Sequence, residues 1–288
     1  MGGGSIGLLV SAYLAKEHEV SIYVRRKEQK EKINEHAIQL LEDNKLIDQA
    51  QVKVRQMEQM KRDHELYIIC VKQTQLKEAL DYFRHTSFHA PLLFLQNGMG
   101  HIKMLQQLIQ PVYIGVVSHG AHRTSDYEVH HLGKGSISLA SVTGNEKELK
   151  QLTEKLSQDY FPVQQVKNWE RLLKDKLIVN AVINPLTALF DVPNGDIITN
   201  PHLHFLAKKL CEETVIALEL SYSEAWEKVT KTAEITKDNV SSMRADVQAR
   251  QATEVEAITG YIINQSPVEL PYTNFVYHAV LALSKERI

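Results

Sequence analysis

The chain has 288 residues, room for about two domains at ~150 residues each, and is long enough to bury a core without disulfides or a structural metal. Its composition, 43% hydrophobic and 24% charged with 13 Gly and 8 Pro, excludes collagen, low complexity and wholesale disorder. With 33 basic and 35 acidic residues the net charge is −2, so no overall positive field recruits nucleic acid or anionic lipid.

Gly2-Gly-Gly-Ser-Ile-Gly7 fits G-x-G-x-x-G, and residues 5–16 carry the apolar spacing of a helix directly after it. Glycines there permit a tight turn and close backbone approach, while the helix N-terminus presents free N–H groups to a pyrophosphate. Residues 19–24 read as the strand that closes the unit. The strand that should enter the turn is absent, because Met1 precedes Gly2 directly. Either the true start lies upstream or cofactor binding is impaired; a flexible glycine-rich terminus is the plain alternative. No positive charge precedes the apolar run 7–15 and no stretch reaches ~18 uninterrupted apolar residues, so a cytoplasmic protein without a membrane span is expected.

Arg25 and Arg26 stand where folds that bind NAD place an acidic residue on the ribose 2′-hydroxyl. A guanidinium there matches a 2′-phosphate, which makes NADP(H) the expected cofactor; the alternative is two solvent-facing arginines. Residues 27–36 read as a charged surface helix, with the alternating signs of 25–32 marking a solvated face. Residues 65–71 and 91–96 are continuous apolar runs of the length that strands buried on both faces need. Between them, 75–84 has helical spacing through Leu76, Ala79, Leu80 and Phe83; 101–109 reads as a helix and 112–117 as a strand. This alternation argues a parallel sheet covered on both faces. Lys72 and Asn97 each follow a strand, at the carboxyl ends where open α/β sheets bind ligands.

Residues 128–131 and 136–140, joined through Gly133 and Gly135, read as a hairpin on the sheet edge, followed by a helix over 146–158 and a strand over 162–166. From Trp169 onward strand signals vanish. Helices are predicted over 169–190, kinked before Pro185, and over 201–228, 240–264 and 272–285. The fold class is therefore α/β with the first strand missing, followed by an all-helical domain, with boundaries at 1–167 and 168–288. Cys70 and Cys211 sit in apolar segments as buried free thiols, and neither His119/His122 nor His130/His131 has a metal-site context.

The sharpest constellation is Lys176, Asn180 and Asn184. Steps of four on a helix advance about 40° each, so the three form one polar stripe on a segment otherwise built for burial. They line a wet cleft or face solvent. A lysine at the rim of such a cleft suits proton donation to a carbonyl oxygen becoming an alkoxide. Ser241 and Ser242 are helix caps or ligand contacts. Glu254 lies about 120° around a straight helix from Ser242, so spacing does not pair them.

With these residues assembled, the chain resembles the ketopantoate reductase family over essentially its whole length. The resemblance is carried by Gly2 to Gly7, Val71-Lys72, Gln96-Asn-Gly-Met-Gly100, Lys176-Leu-Ile-Val-Asn-Ala-Val-Ile-Asn-Pro-Leu-Thr187, Pro193-Asn-Gly195, Ser241-Ser-Met243 and Thr253-Glu254. It implies a Rossmann-type domain joined to a helical domain, and NADPH-dependent reduction of a small keto acid, 2-dehydropantoate, to (R)-pantoate. Lys176 matches the family's proton donor. Asn97, Asn180, Asn184, Asn194 and Ser242 match its substrate contacts. Gly2, Gly3, Gly4, Ser5, Ile6, Gly7, Arg25, Lys72, Asn97, Ala121 and Glu254 match its cofactor contacts, with Arg26 the alternative to Arg25. Neither nucleic acid nor membrane is an expected partner, and a monomer or homodimer is expected. The segment 265–271 is shorter than the family pattern. Another 2-keto or 3-hydroxy acid dehydrogenase of the same architecture, or a truncated non-catalytic dinucleotide-binding protein, are the alternatives.

Overall fold

A computed structural model describes residues 1–84 and 89–284. The described chain divides into two compact units, residues 1–96 with 102–169 and residues 97–101 with 170–288. The short segment 97–101, which follows a strand of the first unit, thus belongs with the second.

The first unit begins with α1 (Ser5–Leu14), β1 (Ser21–Val24) and α2 (Lys27–His36). Three strands follow that the sequence reading leaves unassigned, β2 (Ile38–Glu42), β3 (Lys45–Ala50) and β4 (Lys53–Gln56). Their signal is the Asp43-Asn44 pair, both at positive φ, the two-residue turn that matches the twist of a hairpin. Next come β5 (Tyr67–Ile69), α3 (Leu76–Arg84), β6 (Leu92–Phe94), α4 (Ile102–Leu105) and β7 (Val112–Val117). The helix expected over 101–109 is only α4, because Gln107 and Leu108 donate to Met104 and Leu105 and tighten the turn. The unit closes with β8 (Gly120–Arg123), β9 (Glu128–Gly133), β10 (Ile137–Ser141), α5 (Glu146–Leu156) and β11 (Val163–Gln165).

One sheet has the order β11-β10-β7-β6-β5, with β5, β6 and β7 parallel. A second runs β3-β2-β9-β8, and β1 pairs in parallel with β4. Met1 and Gly2 lie between β1 and β5. The Met1 amine donates to Ile68 O at 2.7 Å, Cys70 N to Met1 O at 2.8 Å, and Gly2 N to Tyr23 O at 2.9 Å. Met1 and Gly2 thus bridge β1 and β5 through backbone hydrogen bonds. Helix α1 is apolar all round, with Leu8, Leu9, Val10, Ala12, Tyr13 and Leu14 all buried, because it packs with residues of both sheets, among them Leu40, Val129, Leu93 and Leu139.

The hairpin expected over 128–140 is corrected. β9 pairs with β8 and β2, whereas β10 pairs with β7 and β11, so the two strands belong to different sheets. The true hairpin is β8–β9, whose turn Ser125 closes by accepting from Tyr127 N and Glu128 N. Gly135 is instead a crossing point, where a Cβ would lie 2.5 Å from Ser118 O.

The second unit is helical: α6 (Trp169–Phe190), α7 (Asp196–Thr199), α8 (Pro201–Leu218), α9 (Tyr222–Ile235), α10 (Ser242–Gln248), a π-helical turn Glu256–Gly260, α11 (Tyr261–Gln265) and α12 (Pro271–Leu283). α6 stays helical on both sides of Pro185. The helix expected over 201–228 is two, because Glu219 adopts the left-handed conformation (φ 53°) and ends α8. The helix expected over 240–264 is also split, at Arg250 (φ 54°). The last helix stops at Leu283, and Lys285, its expected end, lies outside the described residues. Glu213 of α8 ties the last helix to the body of this unit by accepting from Tyr272 N, Thr273 N and Thr273 Oγ1 at the start of α12. Cys211 is buried and Cys70 half-buried, and burial pushes their thiols up to about 12 and about 11.

Behind α1, Gly135 N–H donates to His119 Nδ1 (3.1 Å), which also faces His131 Nε2 at 3.0 Å. That nitrogen is therefore an acceptor, and His131 Nδ1 lies 2.7 Å from Tyr13 Oη, which donates to Glu42 Oε1 at 3.3 Å. The Phe161 ring stacks on both Tyr13 and His119 at 4.4 Å. Burial, with His131 adding to it, pushes the His119 imidazole down to about 4, and burial likewise lowers His131. An unfolded histidine takes up its proton near pH 6.5, so between about pH 6.5 and 4 the unfolded state binds protons that the folded state refuses. Stability falls as the pH drops through that window, by at most about 1.4 kcal/mol per pH unit for each proton. His119→Gln, which keeps an acceptor but does not titrate, should flatten the fall of denaturation midpoint from pH 7 to about 4.5; an unchanged slope would remove His119 from the account.

Candidate active site

In the first unit the glycine-rich turn is built by close backbone approach. Gly2 has φ +102°, and a Cβ there would lie 3.0 Å from the backbone of Cys70 and Val71. A Cβ at Gly7 would lie 1.9 Å from Gly2 O, so α1 leaves the turn with its third glycine against its first. Gly4 differs, for nothing lies within 4 Å of where its Cβ would be. It is the N-cap of α1, which has no side-chain cap and no acidic residue in its first turn. Unsatisfied N–H groups and a positive dipole end beside open space make a cradle for an anion such as a dinucleotide pyrophosphate.

Side chains from other elements hold this turn. Gln29, buried on α2, donates from Nε2 to Gly3 O at 2.8 Å and to Asp126 O at 3.0 Å. Ser5 Oγ accepts from Arg123 N at 3.1 Å, and Ile6 packs against the core. At the end of β1, Arg25 is exposed with no ion pair among the described residues, whereas Arg26 is paired with Asp126. Lys72 is exposed at the start of a single 3-10 turn, and Ala121 lies half-buried on β8.

In the second unit, Lys176, Asn180 and Asn184 lie along one stripe of α6. Asn180 and Asn184 are buried, 8% and 6% exposed, and Lys176 is half-buried. Among the described residues none of the three side chains is bonded to another side chain. The adjacent face of α6 is tied down instead: Asp175 pairs with Arg171 (2.9 Å) and Lys228, and Arg171 with Glu224 (2.6 Å), which fastens α6 to α9. Burial pulls the Lys176 ammonium below the ordinary lysine value and the Glu254 carboxylate pushes it back. Asn97 Nδ2 donates to Glu254 Oε2 at 2.8 Å, so the residue after β6 and the residue before the π-helical turn meet. Sequence spacing offers no sign of that pairing.

Farther along α6, Thr187 donates to Ile183 O at 2.8 Å and its hydroxyl lies 2.7 Å from Ser241 Oγ. Ser241 is the N-cap of α10, accepting from Arg244 N, which makes the exposed Ser242 the first residue of that helix. Cap and candidate contact are thus two neighbouring serines. Asn194 sits apart from the stripe's bonds: Nδ2 donates to Thr236 Oγ1 at 2.9 Å, while its buried Oδ1 has no partner among the described residues. The sequence reading overlooks Gln29, Arg123 and Asp126, and names Thr187 and Ser241 without the contact between them. Gln29 is hidden in a helix whose charges read as a solvated face.

Two family profiles match this chain, ketopantoate reductase PanE/ApbA over residues 1–144 and its C-terminal partner over residues 168–284. A 2-dehydropantoate 2-reductase of Bacillus subtilis is 35% identical over 291 residues, 99% of this chain and 96% of that protein. One from Listeria innocua is 32% identical over 100% of this chain and 96% of that one. A crystal structure of a probable 2-dehydropantoate 2-reductase from Bacillus subtilis superposes with a TM-score of 0.88 at 36% identity, over 98% of each chain.

Two outcomes follow from this geometry. Gly7→Ala forces a Cβ into Gly2 O, so the turn must open, and dinucleotide affinity measured by calorimetry should fall at least tenfold; retained affinity would show that the turn tolerates opening. Glu254→Gln keeps an acceptor for Asn97 but removes the charge that raises Lys176. The Lys176 resonance, followed by NMR of carbon-labelled lysine, should then titrate at lower pH than in the parent; an unmoved or higher midpoint would refute the coupling.

Proposed function

Because the chain belongs to the ketopantoate reductase family, we propose that it reduces 2-dehydropantoate to (R)-pantoate with NADP(H), in the route to pantothenate and coenzyme A. The observation that carries this reading is the Lys176, Asn180 and Asn184 stripe, whose side chains bond to no other side chain among the described residues and which is set against the Glu254 charge. An ammonium held there suits a keto acid twice over. It attracts the carboxylate, and it donates a hydrogen bond and then a proton to the keto oxygen as negative charge develops on it. A lowered lysine value makes that proton easier to give. Asn180 and Asn184 supply neutral donors and acceptors for the rest of the substrate, with Ser242 and Asn97 completing the set. The unpartnered Asn194 Oδ1 is an acceptor that a substrate hydroxyl would satisfy.

The dinucleotide, when bound, supplies the hydride. Gly2, Gly3, Gly4, Ser5, Ile6 and Gly7 would hold its pyrophosphate at the N-terminus of α1. Arg25, exposed and without an ion pair among the described residues, is the choice over Arg26 for the 2′-phosphate. Lys72, Ala121, Asn97 and Glu254 are assigned as further cofactor contacts. We infer a cytoplasmic enzyme acting as a monomer or homodimer. Among the described residues no helix is long and apolar enough to cross a membrane.

Consumption of NADPH with 2-dehydropantoate tests the reading directly. Lys176→Ala should lower kcat about 10²–10⁴-fold while leaving NADPH affinity nearly unchanged. Asn180→Ala should act chiefly on KM for the keto acid. Full turnover in Lys176→Ala would overturn the assignment of the proton donor, and silence of the parent chain with this substrate but not with other 2-keto acids would overturn the substrate.

A further inference from the structure

The β8–β9 turn reaches the glycine turn through charged side chains that the reading above does not use. Asp126 Oδ1 accepts from Arg26 at the end of β1 and from Arg123 Nη1 of β8 at 3.4 Å. Arg123 Nη1 also approaches Gly3 O at 3.4 Å, and Gln29 bonds both Gly3 O and Asp126 O. The carboxylate therefore stands next to the glycine turn and at the end of the strand where a dinucleotide's ribose 2′-substituent is read. Two guanidiniums, Arg26 and Arg123, are held there by that one carboxylate, and the exposed Arg25 precedes Arg26 in the chain.

We propose that Asp126 sets the preference between phosphorylated and unphosphorylated dinucleotide, as the resident counter-anion from which a 2′-phosphate seated on Arg25 draws Arg26 and Arg123 as further donors. The proposal rests on the dinucleotide reading of this turn. A guanidinium makes its strongest bonds to carboxylate or phosphate oxygens, so both anions seek the same donors. Arg26 is nearly half exposed, with 47% of its side-chain surface accessible, and exchanging one anion for another there costs little. A 2′-hydroxyl brings no charge and leaves the Asp126 pairs intact. Asp126 thus weakens binding of the phosphorylated ligand alone, narrowing a preference that three arginines would otherwise make steep.

The test is binding of four ligands, NADPH, NADH, adenosine 2′,5′-bisphosphate and AMP, to the parent chain and to Asp126→Asn, by calorimetry at fixed ionic strength. The variant keeps the backbone carbonyl that Gln29 uses. It should bind NADPH and the bisphosphate about three- to tenfold more tightly, with NADH and AMP within about twofold of the parent. Arg26→Gln should weaken the two 2′-phosphorylated ligands selectively. Equal change in all four ligands, no change, or selective weakening in Asp126→Asn would overturn the proposal, since Asp126 would then be a structural clamp or an organiser of the arginines. If the parent bound none of the four, the dinucleotide reading itself would fail and the proposal with it. Parent binding with an unresponsive variant removes only Asp126.

Discussion

An ammonium taken partly out of water is the constraint around which the helical unit is arranged. Lys176 sits on a helix whose neighbouring positions are apolar and buried, and burial alone would drive it toward the neutral form. The opposing charge comes from Glu254, which is not an ion-pair partner in contact but a carboxylate whose field reaches the lysine. That carboxylate must itself be aimed, and Asn97 aims it by a 2.8 Å hydrogen bond. A direct salt bridge would have consumed the lysine's donors. The longer arrangement opposes the downward shift while leaving the lysine's N–H groups without a side-chain partner among the described residues, and it joins segment 97–101 to helices far from it in sequence.

The α/β unit faces a different constraint, that of backbone approach. Gly7 against Gly2, and Gly2 against Cys70, bring main chain to main chain at distances that admit no side chain. The gain is a helix N-terminus whose N–H groups need no cap from the protein. The turn is then fixed from outside, by Gln29 on Gly3 O and by Ser5 with Arg123. Its fixing comes from these contacts with α2 and β8 rather than from the glycines, which supply only permission.

Much of this was legible in the sequence, and what was not has physical reasons. The G-x-G-x-x-G turn, the buried strands β5 and β6, and the Lys176 stripe all announce themselves through local periodicity or spacing. The helix boundaries at Glu219 and Arg250 do not, because a non-glycine residue at positive φ leaves no compositional mark. The 128–140 segment misleads for the opposite reason: two short strands joined by glycines have the local signature of a hairpin, yet partners from β2 and β11 decide where each strand goes. Asn97 with Glu254, and Gln29 with Gly3, are contacts across 157 and 26 positions of chain, where no window of sequence carries information.

The two kinds of cation in this protein are handled in ways that match the roles proposed for them. Arg26 lies at the surface against a carboxylate, where a pair contributes at most about 1 kcal/mol and exchanges readily with solvent or another anion. Lys176 is withdrawn from water and given a distant carboxylate instead of a close one. A reversible ligand contact needs the first arrangement, because tight internal pairing would have to be broken at each binding event. The proton donor proposed here suits the second, since burial holds its value below that of a free lysine while Glu254 opposes that fall. Exchanging the two environments would disable both: an exposed lysine would hold its proton too firmly, and a buried arginine, too basic to give up a proton, would bind an anion without being able to donate to it.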